Sequence, residues 1–292
     1  MKNINLTGLG VALITPFTTD NQVDFPALKR LVELHLASGT DYLVVLGTTA
    51  ETPTLALDEQ QKIVQAVVTQ VNKKIPIVMG VGGNNTAALV QRLKTESFAG
   101  VDAILSVVPY YNKPSQEGIY QHYKALAEAT DLPIVLYNVP GRTGVNMTGD
   151  TTLRLAGDFE NIVATKEASG NLSQIDYIVK HKQESFQVIA GDDSLAFRLI
   201  TSGAVGVASV LGNAFPKEFA EMVHAALKGD LLNAAPIHRH FEALIDLLFV
   251  DGNPAGIKCA LAAMGYVENV LRLPLVPVQA ATAEKILMSL RA

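Results

Sequence analysis

Eight short apolar runs, rich in β-branched residues, recur along this chain and constrain its fold more than any other feature. They span residues 10–16, 42–47, 75–82, 103–109, 133–140, 162–169, 186–191 and 204–211, and segments with helical periodicity separate them. Strands that alternate with helices in this way pair in parallel through right-handed crossovers. Eight such units predict an α/β fold, the closed (β/α)8 TIM barrel.

An open, doubly wound sheet is the competing topology, and it usually carries a glycine-rich phosphate-binding turn. The glycine-rich runs at residues 8–10 and 80–83 do not complete the pattern G-x-G-x-x-G, so neither indicates a nucleotide site. After residue 212 the strand pattern stops, and helical periodicity follows over residues 231–249, 254–264 and 278–290. We therefore expect a catalytic barrel over residues 1–228 and a small C-terminal helical region over residues 229–292.

Composition excludes several classes of function. A net charge of -5 and a pI near 5.7 argue against nucleic acid or an anionic membrane as the main partner. With one cysteine the chain has no internal disulfide, and its histidines show no metal-binding spacing, so we expect no metal. No apolar run is long enough to span a bilayer, and we expect a cytoplasmic protein.

A lysine stands where the sixth apolar run ends, in the sequence Thr165-Lys166-Glu167. Within a sheet covered on both faces, low-dielectric surroundings disfavour the charged ammonium, and the neutral amine is a nucleophile. One interpretation is a Schiff-base lysine that attacks a carbonyl substrate. The other is a lysine that pairs with Glu167 or extends out of the strand end, and this stretch alone favours the second.

Polar residues follow several other predicted strands at the barrel end where active sites form. Thr48 and Thr49 could hold a small carboxylate with their turn, or simply cap that turn. Tyr137 lies near the end of the fifth run, which precedes the run of Lys166, and it could exchange protons with an imine. Arg142, on a glycine-containing loop, could bind a substrate carboxylate, although an isolated loop arginine is usually solvated.

Two further strand ends are less specific. Tyr110 and Tyr111 follow the fourth run and could supply a phenol for proton transfer, or an aromatic anchor at a subunit interface, or both. Asp192 and Asp193 follow the seventh run, and two adjacent acids without further ligands are a weak metal signal. We interpret Asp193 as a helix cap.

Five motifs follow one another along the chain: Gly-Thr-Thr-x-Glu at 47–51, Tyr-Tyr-Asn at 110–112, Tyr-Asn-Val-Pro-x-Arg-Thr-Gly at 137–144, Lys-Glu-Ala-Ser-Gly at 166–170 and Gly-Asp-Asp at 191–193. Together they resemble the dihydrodipicolinate synthase family of class I pyruvate aldolases. The match runs nearly end to end, and Asn253, Pro254 and Lys258 fit the family's C-terminal part. Five motifs in the same order and spacing are far more specific than any one of them.

The resemblance implies condensation of pyruvate with L-aspartate 4-semialdehyde in lysine and diaminopimelate biosynthesis, without a cofactor. It also implies a homotetramer, a dimer of dimers, in which a tyrosine crosses from a neighbouring subunit. Carried over by position, the roles are imine formation by Lys166, proton relay by Tyr137, Thr49 and Tyr111, pyruvate-carboxylate binding by Thr48 and Thr49, semialdehyde binding by Arg142, and pocket lining by Gly191.

Three departures from the family pattern matter. Ala50 replaces a glycine but keeps the backbone donors of its turn, and Ala208 replaces a larger aliphatic residue that lines the pocket. At the site where lysine inhibits some members, Leu57, Gln60 and Ala88 replace two histidines and a glutamate. We therefore predict weak or absent lysine feedback.

Three other functions compete with this one. A sibling such as N-acetylneuraminate lyase shares the lysine and tyrosine chemistry, but it generally lacks an arginine at the position of Arg142. A pyridoxal-phosphate enzyme would use Lys166 to hold its cofactor, and the sequence has no obvious phosphate cup. In a non-catalytic binding barrel, Lys166 would be structural.

Overall fold

Eight parallel strands form a closed barrel at the centre of the structure, a computed structural model that describes residues 4–291. Each strand pairs with the next in sequence, and the first pairs with the last. The strands are β1 (Gly8–Ala12), β2 (Tyr42–Val45), β3 (Ile77–Gly80), β4 (Ala103–Val107), β5 (Ile134–Asn138), β6 (Ile162–Glu167), β7 (Gln187–Ala190) and β8 (Gly206–Ser209). The predicted (β/α)8 barrel is confirmed, and the open sheet is wrong.

Helices follow the strands and cover the barrel. They are α1 (Phe25–Ala37), α2 (Leu57–Val71), α3 (Thr86–Thr95), α4 (Gln116–Ala127), α5 (Pro140–Thr143), α6 (Gly149–Asp158), α7 (Leu172–His181), α8 (Ala196–Thr201) and α9 (Pro216–Leu227). At the first of them, Asp24 accepts a hydrogen bond from the backbone N–H of Ala27 at 2.9 Å, which caps the helix as its sequence predicts. The one-turn helix α5 was not predicted.

The strands are shorter than predicted, mainly at their carboxyl ends, and β1 begins two residues earlier than expected. Glycines explain the early start. Gly206 has φ of 155°, and a Cβ atom added there would lie 2.0 Å from the carbonyl oxygen of Gly8. Since only glycine allows this close approach, β1 and β8 close the barrel where both strands lack side chains.

The apolar core has two layers that follow the alternation of side chains along the strands. One layer fills the barrel interior and includes Tyr42, Leu105, Tyr137 and Ala208. The other lies between the strands and the surrounding helices. Interior-facing residues near the carboxyl ends of the strands, Tyr137 among them, therefore look into the mouth of the barrel.

Three further helices form the C-terminal region: α10 (Leu231–Phe249), α11 (Ala255–Ala263) and α12 (Ala280–Ser289). Helix α10 packs against α9, and α11 and α12 pack against each other and against α10. The predicted C-terminal helical region is thus present. The boundary between the barrel and this region, expected at residues 228 and 229, stays a prediction. Among residues 4–291, no helix has the length and apolar character needed to cross a membrane.

Candidate active site

Lys166 and Tyr137 lie side by side on neighbouring strands. They are direct partners in the register of β6 and β5, and both are largely buried, with 6% and 7% of their surface exposed. The Nζ atom of Lys166 lies 4.7 Å from the centre of the Tyr137 ring. This pairing puts a primary amine beside a phenol in the apolar mouth of the barrel.

The alternative in which Lys166 pairs with Glu167 is wrong. Successive side chains on a strand point to opposite faces, so Glu167 lies outside the barrel. There its carboxylate accepts hydrogen bonds from Ser169 Oγ at 2.6 Å, Asn138 Nδ2 at 2.9 Å and Gln174 Nε2 at 3.3 Å. Burial raises the pKa of the Glu167 carboxyl, and these donors oppose that rise.

The loop after β2 presents Thr48 and Thr49. Residues Thr48–Ala50 form a single 3-10 turn, and Glu51 follows in the left-handed conformation with φ of 57°. Thr49 is buried, and its hydroxyl accepts a hydrogen bond from Asn253 Nδ2 at 2.9 Å. The hydroxyl of Thr15 donates to the carbonyl oxygen of Ala50 at 2.8 Å. Contacts from distant parts of the chain therefore set the shape of this turn.

A cavity of about 440 Å³ opens at the barrel mouth. Among its lining residues are Thr48, Tyr137, Arg142 and Tyr110, which come from the loops and strands that the sequence predicted would converge. Arg142 is exposed on the one-turn helix α5, which Gly144 ends with φ of 75°. Lys166 itself is not part of this lining, but its Nζ lies against the ring of Tyr137, which is.

Tyr111 differs from the other predicted residues because the chain does not bring it into the cavity. It is 88% exposed, and its backbone has φ of 74°, which is unusual for a bulky residue. Its N–H donates to the carbonyl oxygen of Thr143 at 3.3 Å, so the loop after β4 rests on helix α5. Within a single chain, the phenol of Tyr111 projects into solvent.

Gly191 and Ala208 are both small, and neither is among the residues that line this cavity. A Cβ atom added at Gly191 would lie 2.8 Å from that of Ala168 and 3.0 Å from the carbonyl oxygen of Glu167. Only glycine therefore lets the end of β7 lie this close to the residues after Lys166. Ala208 is 3% exposed in the barrel interior, where its small side chain leaves room.

Asp193 does not cap the helix that follows it, so that prediction is wrong. Helix α8 begins later, and its N-cap position is Leu195. Asp193 Oδ2 instead accepts hydrogen bonds from the N–H groups of Val210 at 2.9 Å and Leu211 at 2.8 Å, in the loop after β8. A tertiary contact thus takes the place of a local one, and burial raises the pKa of this carboxyl.

The roles of Glu51, Asn253, Lys258 and Arg272 were not found from the sequence. Lys258 Nζ lies 2.5 Å from Glu51 Oε1, and neither side chain is exposed. The other oxygen of Glu51 accepts from the N–H of Arg272 at 3.0 Å. Burial lowers the pKa of Lys258 to about 8, and Glu51 opposes that shift. These partners lie some 200 residues apart, so no local pattern reveals them.

No group of three or more histidine, cysteine, aspartate or glutamate side chains within residues 4–291 is arranged to hold a metal ion. The polar groups at the barrel mouth are instead an amine, a phenol, hydroxyls and a guanidinium. Such a set can form an imine, move protons and bind carboxylates.

Comparison with known proteins agrees with this chemistry. The model of the dihydrodipicolinate synthetase family matches residues 5–292. The 4-hydroxy-tetrahydrodipicolinate synthase of Parabacteroides distasonis is 64% identical over 291 residues, which cover 100% of this chain and 98% of that protein. The crystal structure of dihydrodipicolinate synthase from Aquifex aeolicus is 42% identical, with a TM-score of 0.94 over 98% of this chain and 97% of that one.

A third relative was solved in complex with a small molecule. The chloride-inhibited dihydrodipicolinate synthase from Acinetobacter baumannii, complexed with pyruvate, is 40% identical, with a TM-score of 0.95 over 98% of each chain. All three matches extend over the barrel and the C-terminal helices together. The chain belongs to the dihydrodipicolinate synthetase family.

Proposed function

We propose that this protein condenses pyruvate with L-aspartate 4-semialdehyde to give 4-hydroxy-tetrahydrodipicolinate, in lysine and diaminopimelate biosynthesis. The observation that carries the proposal is the position of Lys166, buried beside the Tyr137 ring at the barrel mouth. A relative that is 64% identical over the whole chain has the name of this enzyme. Both substrates are small metabolites that carry a carboxylate, which fits a cytoplasmic enzyme.

The reaction begins with the Lys166 amine. Its neutral form attacks the ketone carbon of pyruvate, and loss of water gives an iminium ion bonded to Nζ. The iminium draws electrons from the methyl group, which loses a proton to become an enamine. The enamine carbon then attacks the aldehyde of the second substrate, forming the carbon–carbon bond, and the aldehyde oxygen takes a proton to become a hydroxyl.

Release needs no water, because the second substrate carries its own amine. That amine attacks the imine carbon, closes the ring and expels Lys166. We assign proton transfer at Nζ to Tyr137, and the 4.7 Å between Nζ and the centre of its ring supports this role. The enzyme is thereby returned to its starting state without a cofactor.

Two carboxylates must be held while this happens. We assign the pyruvate carboxylate to the turn at Thr48 and Thr49, whose small side chains leave hydroxyls and backbone N–H groups near the mouth. Arg142 lines the same cavity from the opposite loop and can bind the semialdehyde carboxylate through two parallel hydrogen bonds. Gly191 and Ala208 shape the surrounding space.

The proton relay of Tyr137, Thr49 and Tyr111 requires a second chain in this proposal. Tyr111 is 88% exposed and does not line the cavity of its own chain. Its exposure supports a role across an interface, in which the tyrosine of one subunit completes the site of its partner. We propose that the working form is a homotetramer, a dimer of dimers.

The sibling activity of N-acetylneuraminate lyase is not favoured. Arg142 lines the cavity, and the sugar-lyase siblings generally lack this residue. A binding barrel without catalysis is also disfavoured, because such a protein has no need of an amine buried beside a phenol. Comparing turnover of the semialdehyde with that of sialic acid distinguishes the proposed condensation from the lyase activity.

Reductive trapping tests the proposal directly. Pyruvate and sodium borohydride should add the mass of the reduced pyruvate adduct to the intact protein, and peptide mapping should place it on Lys166. Lys166→Ala should lose both the adduct and the condensation activity. The matched control is Lys180→Ala, an exposed lysine on α7, which should keep both. An adduct elsewhere, or none in the wild type, would contradict the imine mechanism.

A further inference from the structure

The hydroxyl of Thr49 is oriented by a residue outside the barrel. It accepts a hydrogen bond from Asn253 Nδ2 at 2.9 Å, and both residues are buried, with 3% and 7% of their surface exposed. A threonine hydroxyl has one proton and two lone pairs. Because the amide donates to one lone pair, the hydroxyl proton is free to point toward another acceptor.

The other end of the same amide has no partner. Asn253 Oδ1 is buried and makes no hydrogen bond within the described residues. A buried acceptor without a partner lowers the stability of the fold, so stability alone does not explain an asparagine at this position. An apolar side chain of similar size would avoid that cost but would leave the Thr49 hydroxyl free to rotate.

The C-terminal region holds Asn253 firmly against the turn. Asn253 lies two residues before α11, and Lys258 in that helix pairs with Glu51, two residues after Thr49. Lys258 Nζ also donates to the carbonyl oxygen of Val270 at 2.9 Å. Its Nζ lies 4.1 Å from the centre of the Phe17 ring. Two contacts therefore join the turn to the start of α11. The Lys258–Glu51 pair holds the backbone in place, and the Asn253 amide binds the Thr49 hydroxyl.

We propose that Asn253 is a positioning residue that sets the direction of proton transfer through Thr49. Its amide donates to Thr49 Oγ1, so that the threonine acts as a donor toward the phenol side of the relay. Asn253 touches neither substrate nor Lys166 in this role. The inference rests on the proposed function, because it matters only if Thr49 carries protons.

Asn253→Asp is the sharpest test because aspartate has the same shape and, when ionised, can only accept. We expect kcat to fall about tenfold or more, with the KM for pyruvate changed less than twofold and complete borohydride trapping at Lys166. Lowering the pH should restore part of kcat relative to wild type, since a protonated aspartate can donate again. Recovery of kcat at low pH without a matching rise in melting temperature separates this from a structural role, because protonation would also remove the cost of a buried charge.

Two further variants keep the test decisive. Asn253→Ser keeps a neutral hydrogen-bond donor and should retain more of the wild-type kcat than Asn253→Asp. If Asn253→Asp does not fold, Asn253→Ser takes its place in the test. The matched control is Asn161→Asp, at the opposite end of the barrel, where the amide donates to the carbonyl oxygens of Ala127 and Thr130. It should lower the melting temperature but leave kcat within twofold of wild type.

The outcomes separate this inference from the proposed function. Wild-type kcat in Asn253→Asp, or a loss confined to KM, would overturn the positioning role while leaving the imine mechanism intact. An equal kcat loss in Asn161→Asp would also overturn it, because the effect would then be one of stability. If wild type is not trapped by pyruvate and borohydride, the proposed function itself fails.

Discussion

Removing the amine of Lys258 should destabilise the protein strongly. Lys258→Met keeps the length of the side chain but leaves the Glu51 carboxylate buried without its cation. Breaking a buried ion pair by removing one partner costs about 3–5 kcal/mol. Glu51 Oε2 keeps its hydrogen bond from the N–H of Arg272 at 3.0 Å, so we expect the lower part of this range, about 3 kcal/mol.

Urea denaturation at one fixed pH measures this loss. The free energy of unfolding of Lys258→Met, extrapolated to zero urea, should lie about 3 kcal/mol below that of wild type, and the slope of the transition should be unchanged.

The double variant Glu51→Gln, Lys258→Met removes both charges and should recover part of the lost free energy of unfolding, because no buried charge remains. The control, Lys62→Met, removes the cation of an exposed pair with Asp58 and should have no measurable effect. A loss below about 1 kcal/mol for Lys258→Met, or no recovery in the double variant, would refute the reasoning.

Three other predictions follow from single residues. In a steady-state assay, Arg142→Gln should lower kcat/KM for the semialdehyde by about tenfold to a hundredfold, because it loses a charge-assisted bidentate contact. Trapping of pyruvate by borohydride should be unchanged. His35 is fully buried, and burial lowers its pKa to about 3, so the native state excludes a proton that the unfolded state binds below pH 6.5. Its contribution to stability is lost as pH falls below 6.5, by about 2 kcal/mol at pH 5, and His35→Gln should flatten this dependence in thermal melts. Lysine at physiological levels should inhibit weakly or not at all in a coupled assay, because Leu57, Gln60 and Ala88 lack the expected charged groups.

Each of these has a clear contrary result. Unchanged semialdehyde kinetics in Arg142→Gln would remove the arginine from substrate binding. Equal pH slopes for His35→Gln and wild type would show that this histidine does not govern acid stability. Potent inhibition by lysine would overturn the feedback prediction. The amide of Gln60 already has two partners, since it accepts a hydrogen bond from Arg92 Nη2 at 3.2 Å and donates one to the carbonyl oxygen of Leu55 at 3.1 Å.

Local patterns along the chain were sufficient to predict the barrel and much of its mouth. The alternation of apolar strands with amphipathic helices is a property of neighbouring residues, and parallel closure places every strand's carboxyl end on one rim. This is why Lys166 and Tyr137, at the ends of adjacent strands, were expected to meet and do so. Strand lengths were overestimated because apolar residues continue past the last ladder hydrogen bond into buried loops.

The tertiary structure decided which polar group each side chain meets. Asp193 was expected to cap the next helix, but it accepts hydrogen bonds from a loop some 17 residues away. Lys166 and Glu167 could have formed an ion pair, but as consecutive residues of one strand they point to opposite faces. The Asn253–Thr49 and Lys258–Glu51 contacts join parts of the chain about 200 residues apart. Sequence periodicity predicted the secondary structure because it depends on near neighbours, and the count of eight strand–helix units predicted the closed barrel. Burial and partner choice depend on the packed whole, and they alone determined how the amine, the phenol and the threonine hydroxyl are held.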